Sequence, residues 1–392
     1  MSETPWSNPA IWTSTEAAAI AAGVVTLAVL AWIVWIRGKS RRRQHRTASR
    51  QSRFIAQFQS TSPLQAAMDE LDRESDPAIR VGAIEKLKDE ARESARNYWA
   101  VMDALTGHLR RHARAPLGRK PGNASDSDTV DLAPDIQAIV TFLLHRNTRY
   151  EERGAGLDLR SVNLSHADLR GVYLRYADLR GAALYGAALR GANLRDADLR
   201  SARMAGANFR GADLRGANFS ESILRDADLR YADMRGAVLD NLADLINADL
   251  SNADLRDTVL TDVVLCQAIL SQASLRGTRL DFADLRRAAL DGTYLRDASL
   301  KGADLRHANL RGANCQDANL RDADLRDTDL RETQFKGAAL HNARLAGADL
   351  RGADFREAAI AEADFSGADT SGAKMPAMPG LPGESTARAA TP

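Results

Sequence analysis

The chain has 392 residues, 5% of them aromatic, with 53 Lys and Arg against 52 Asp and Glu. That length exceeds one ordinary core, and a formal net charge of +1 excludes a global field that would draw the chain to nucleic acid. Scarce aromatics beside constantly recurring Ala, Leu, Asp and Arg point to a repeat array. Two cysteines, Cys266 and Cys315, supply neither a disulfide framework nor a metal cluster, and they suit a thiol-reducing compartment.

Residues 1–16 carry no Lys or Arg and read as a short extracytoplasmic start. From Ala17 to Ile36 no residue is charged. At about 1.5 Å per residue a helix of that length reaches about 30 Å, enough to span a bilayer. Trp6 and Trp12 precede it and Trp32 and Trp35 close it, as interfacial rings do. A basic juxtamembrane segment occupies 37–53, with Arg37, Lys39, Arg41, Arg42, Arg43, Arg46, Arg50 and Arg53. The positive-inside rule then predicts a single pass in a bacterial inner membrane, N-terminus outside and the bulk cytoplasmic. A cleaved leader would need a basic start, a shorter apolar run and a small-residue cleavage site, which are not present.

Residues 54–114 read as an α-helical module. Ser62 before Pro63 and Asp76 before Pro77 are N-cap and first-turn signatures. Ile79, Ala83, Ile84 and Leu87 recur at helical spacing, as do Trp99, Met102, Leu105 and Leu109. Tyr98 and Trp99 are expected in the core. Residues 115–133, rich in Pro, Gly, Ser and Asp, read as a flexible linker, and 134–156 as a helix covering the first turn of a repeat array.

The array itself has a period of five. Leu159, Leu164, Leu169, Leu174 and Leu179 begin a column, here called i, that runs to Leu239 with Met204, Phe209, Phe219 and Met234 as substitutes. Two residues earlier the column is small, with Ala167, Ala177, Ala182 and Ala187. Alternation along an extended segment puts i−2 and i on one interior and leaves i−1, i+1 and i+2 outside. An α-helix would rotate such a column into water, whereas a coil of short extended sides would not. Cys315 takes an interior seat and Cys266 an outer one. After Leu239 the next column member is Leu245, so one residue is inserted near Asp240, Asn241 and Leu242, as a bulged corner or a small recognition loop.

Units such as Ala167-Asp168-Leu169-Arg170-Gly171 and Ala192-Asn193-Leu194-Arg195-Asp196 resemble the A(D/N)LXX motif of pentapeptide-repeat proteins. The resemblance covers about residues 157–375 and implies an all-β solenoid, a right-handed quadrilateral β-helix with about 20 residues per turn and hence about 11 coils. At about 4.8 Å per coil the rod would be about 50 Å long. Residues 376–392 read as a disordered tail.

A 20-residue coil would stack Arg170, Arg190, Arg210 and Arg230 on one side and Arg175, Arg195, Arg215 and Arg235 on the next. Interleaved acids would balance them, and an acidic partner or anionic lipid is the sharper reading. Gyrase-protecting members of the family mimic duplex DNA with a strongly acidic dimeric rod. Here residues 157–374 hold 33 acids and 30 bases, so a topoisomerase-protecting DNA mimic is the lesser alternative. His108, His166, His307 and His341 are scattered, and no phosphate-cradling or zinc-binding motif occurs. The expectation is therefore a non-catalytic scaffold without cofactor or metal, bound to another protein, with a homo-oligomer as a further option.

Overall fold

The computed structural model describes residues 63–73, 76–115, 132–151 and 154–376. The expected span at 17–36, the basic segment at 37–53, the Ser62 cap, most of the linker and the tail from 377 lie outside the described residues. Among the described residues no helix is long and apolar enough to cross a membrane.

Four helices come first: α1 (Pro63–Arg73), α2 (Pro77–Glu93), α3 (Tyr98–His112) and α4 (Pro134–His145), then a 3-10 turn at Thr148–Tyr150. Asp76 caps α2 as the sequence predicts, its Oδ1 accepting from the Ala78 N–H at 2.8 Å. Ile79, expected on the buried stripe, is instead 45% exposed, while Ala83, Ile84 and Leu87 are buried. The helix is rotated so that Arg80 faces inward. Arg80 Nε donates to Asp135 Oδ2 at 2.7 Å, and His108 Nε2 lies 2.8 Å from the same oxygen, so one carboxylate ties α2, α3 and α4 together. Burial pushes the His108 pKa down. Burial alone would raise that of Asp135, but hydrogen bonds from His108 and Arg80 outweigh it and hold the carboxyl low. Tyr98 is buried as expected, and Trp99 meets its ring edge-on at 5.6 Å.

The repeats form the expected solenoid. Bridges join residues 20 apart, Asp158 to Asp178 to Asp198, so five-residue units give four sides per coil. We call them the first to fourth sides, after Leu159, Leu164, Leu169 and Leu174. Each side contributes a single bridging residue, so the five-residue period leaves no room for a longer strand. One unit shows why the sequence repeats. Asn208 N–H donates back to Ala187 O at 2.9 Å, Phe209 N–H forward to Asp228 O at 2.7 Å, and Gly211 N–H forward to Arg230 O at 2.9 Å. Ala212 N–H closes the turn on Phe209 O at 2.9 Å. The remaining amide, Arg210 N–H, is taken by the Asn208 side chain at 3.0 Å. Asp or Asn at i−1 thus caps the one amide the coil cannot satisfy. Position i+2 turns the corner in the left-handed region, with Gly211 at φ 66°, which selects Gly, Asn and Asp there.

Inside, the columns stack like on like. Phe335 and Phe355, one coil apart, lie 4.7 Å between ring centroids and 17° from parallel. Cys315 is fully buried, and burial pushes its thiol up to about 12. The core is continuous from Leu64 in α1 to Ala358 near the far end. Interior threonines such as Thr333 return their hydroxyls to carbonyls, here Leu310 O at 2.9 Å.

The first coil is covered, but not by α4 alone. The residues after α3 pair with it: Arg114 bridges Val162 antiparallel, Ala115 N–H donates to Ser161 O at 2.8 Å, and Asn163 N–H to Ala113 O at 2.6 Å. Arg110 Nη1 donates to Asp158 O at 2.6 Å, and Arg146, just past α4, donates to Tyr173 O. Guanidinium groups thus satisfy carbonyls that a preceding coil would have taken. Gly156 enters the coil so close to the Tyr176 carbonyl that a Cβ could not fit.

The inserted residue is absorbed at one corner. Bridges lengthen to 21 residues from Ile223–Asp244 to Val238–Val259 and return to 20 at Asp244–Val264. Asn241 and Leu242 are both left-handed, at φ 56° and 62°, where every other corner has one such residue.

Candidate interaction surface

The outer coat is built from the same unit. Where i−1 is Asp and i+1 is Arg, the carboxylate that caps the backbone also holds the guanidinium in parallel bonds: Arg215 Nε donates to Asp213 Oδ1 at 2.8 Å and Nη2 to Oδ2 at 2.6 Å. The next coil extends the chain, with Arg215 Nε 3.4 Å from Asp233 and Arg235 Nε 3.5 Å from Asp254. The hydrogen bond from Arg230 holds the Asp228 carboxyl below its usual range, and Arg356 brings that of Asp354 down to about 2.

The two predicted arginine stripes stand in register, since their i−1 neighbours bridge coil to coil. Their charges are largely spent within the coat. Arg170, Arg215, Arg230 and Arg235 are each held in parallel by the aspartate two residues earlier. Arg175 and Arg195 both lie 3.8 Å from Asp196, and Arg210 covers the Tyr231 ring at 5.2 Å. Arg190 comes after Ala188, which offers no carboxylate, and its exposed side chain has no partner among the described residues. On the fourth side the stripe continues past the insertion through Arg256, Arg276 and Arg296, seven guanidinium rungs in successive coils. Arg195, Arg215 and Arg235, with Asp196, Gly216 and Gly236, line a shallow open groove.

Asp240, Asn241 and Leu242 stand at the corner between the first and second sides, and Leu242 is 70% exposed. Cys266 is half-buried, its Sγ 3.7 Å from Asp284 Oδ1, and burial, reinforced by that carboxylate, pushes its thiol up rather than activating it. The four histidines singled out in the sequence do not converge: His108 is buried in the helices, where it stacks on His112 at 4.2 Å, His166 and His307 sit at corners and His341 on a side. No group of His, Cys, Asp and Glu among the described residues is placed to hold a metal.

Periodicity alone does not disclose the function of the Asp and Asn column, or the places where that column fails. Val238, Val259, Ile223, Val264 and Ile269 occupy i−1 in or beside the coils flanking the insertion, visible in the sequence as aliphatics where the motif has Asp or Asn.

No curated protein matches the chain. Among solved structures, HetL, a pentapeptide repeat protein involved in heterocyst differentiation regulation from the cyanobacterium Nostoc sp. strain PCC 7120, is 35% identical over 50% of this chain and 89% of its own, with a TM-score of 0.42. Full-length QnrB1, a plasmid-mediated fluoroquinolone resistance protein, is 19% identical over 49% of this chain and 90% of its own, with a TM-score of 0.24. The family profile described as pentapeptide repeats matches residues 155–372, more than half of the sequence. The chain belongs to the pentapeptide repeat family.

Proposed function

We propose that this protein is a non-catalytic scaffold, in which a rigid repeat rod presents one long surface to another protein. The observation that carries the reading is the unbroken core and register: helical cap and coils share one hydrophobic interior, so outer side chains repeat at fixed spacing along the whole rod. Binding to such a surface involves little reordering of its backbone. The uncharged stretch from Ala17 to Ile36 and the basic run after it support attachment to a bacterial inner membrane with the rod in the cytoplasm. Recovery of a stoichiometric partner from solubilised membranes with the full-length chain tests the scaffold reading. A rod that recovers no partner under crosslinking conditions contradicts it.

A second reading, contact with an acidic protein or anionic lipid through the arginine stripes, is favoured by the unpartnered Arg190 and the seven-rung fourth side. On that reading Arg190→Glu should abolish the contact. Topoisomerase protection has less support, because the coat lacks an acidic excess in its first coils: residues 157–239 hold 13 bases and 10 acids.

A further inference from the structure

Beside the insertion the coat changes character. The coil of residues 258–277 has Val259, Val264, Ile269 and Ser274 at i−1, so no side has Asp or Asn to cap the i+1 amide. On the first three sides of this coil and the one before it, i+1 reads Asp240, Ile246, Ser251, Thr261, Cys266 and Ser271, without one guanidinium. The coil of residues 258–277 gives up the amide cap, while in the coil before it Asp244 and Asp249 still cap the Ile246 and Ser251 amides but hold no guanidinium at their own i+1 positions. The corner between the first and second sides alternates acid and apolar residue coil by coil: Glu221, Leu242, Asp262, Phe282. All four are exposed, Leu242 by 70% and Phe282 by 59%. The Phe282 ring lies across the next corner at Gly302, where any Cβ would collide with it. Leu242 is held in the left-handed region, which costs a leucine free energy that glycine would not lose. Val238 and Ile246 flank this corner and extend the apolar strip on either side.

Glu221, Asp240 and Asp262 make no ion pair among the described residues, unlike the aspartates of the arginine stripes.

We infer that this waist of the rod, centred on the corner of Leu242 and Phe282, is a docking site for a protein segment bearing apolar side chains flanked by Lys or Arg. Apolar burial would supply the affinity and the acids at alternate coils the selectivity for a basic partner. The inference rests on the scaffold reading and narrows it to one place and one chemistry.

Cys266 stands at the end of the second side, in the coil that carries Asp262, and is the thiol that reports on the site, because Cys315 is sealed in the core. The probe is a synthetic peptide of alternating Leu and Lys, with Leu–Glu and Ser–Lys peptides as comparisons, added to the full-length protein while alkylation of Cys266 is timed. The Leu–Lys peptide should slow alkylation at least fivefold and the other two should not. Leu242→Gly should raise the melting temperature and yet reduce that protection, which separates binding from folding, and Asp262→Lys should reduce it as well. Unchanged alkylation with Leu–Lys, equal protection by Leu–Glu, or full protection in both variants would overturn the inference. So would a dimer in sedimentation that Leu242→Gly dissolves, since the strip would then face a second copy. If a partner is recovered from membranes but its crosslinks map to the Arg190 side, this site fails while the scaffold reading stands.

Discussion

The flanking coils and the waist of one rod obey different rules. In the flanks an aspartate such as Asp213 caps a backbone amide, holds Arg215 in parallel and reaches toward the next coil through Asp233, so the outer surface serves the fold. At the waist the same positions hold Val259 and Val264, and the corner holds a strained, exposed Leu242. A repeat with so strict a pattern makes its exceptions conspicuous: where the capping residues are absent from all four sides of one coil, the surface is shaped by something other than stability.

The largest expected effect lies in the helical cap, where one carboxylate does alone what the coat does by repetition. Asp135→Ala leaves Arg80 and His108 facing each other in the interior, and should cost about 3–5 kcal/mol in denaturant unfolding of the cap. A loss below about 1 kcal/mol would show that the cap does not depend on that cluster. The waist should respond in the opposite direction. Leu242→Gly should stabilise by about 1 kcal/mol by removing a side chain from a left-handed corner, read as a higher melting temperature. Val264→Asn, which restores the missing amide cap beside Cys266, should add about 0.5–1 kcal/mol. In a flanking coil Asp213→Ala should cost a similar amount, and Asp213→Asn should recover part of it, because the amide oxygen still accepts from Arg215 N–H. If both regions respond alike, the contrast between them is lost.

The smallest effect is spread over the coat. Carboxyls such as Asp228 and Asp354 are held below the usual value of 3.8, the latter at about 2, by hydrogen bonds from Arg230 and Arg356. A lowered folded-state pKa contributes stability above the unfolded value and loses it as pH falls toward the folded one. The melting temperature should therefore be flat near neutrality and fall below about pH 4, by less in high salt because the arginine partners are exposed.

The periodic part of this molecule is legible from residues alone. The Leu column, the small column two residues before it, the coil of 20 and the slip after Leu239 all arise from side-chain volume and alternation, which act locally and repeat. The non-repeating contacts are not legible in that way. Nothing in the helical spacing of α2 shows that Arg80 rather than Ile79 turns inward, because the deciding group, Asp135, lies 55 residues away. Nor does spacing show that residues 113–115, which read as the end of a helical module and the start of a linker, complete the first coil. The arginine stripes stand where a 20-residue coil puts them, but their pairing depends on the Asp two residues earlier, whose backbone role explains the motif and exposes the waist.

A rod that works by holding another protein at its waist should betray the contact to a crosslinker. Photoreactive residues placed singly at 242, 190 and 351 of the full-length chain and activated in native membranes make that test. The expected result is a single protein joined in near-stoichiometric yield from position 242, through a stretch containing Lys or Arg beside apolar residues, with far less from 190 and 351. The opposite result, no protein adduct from any of the three positions, would show that the rod is not a scaffold of this kind.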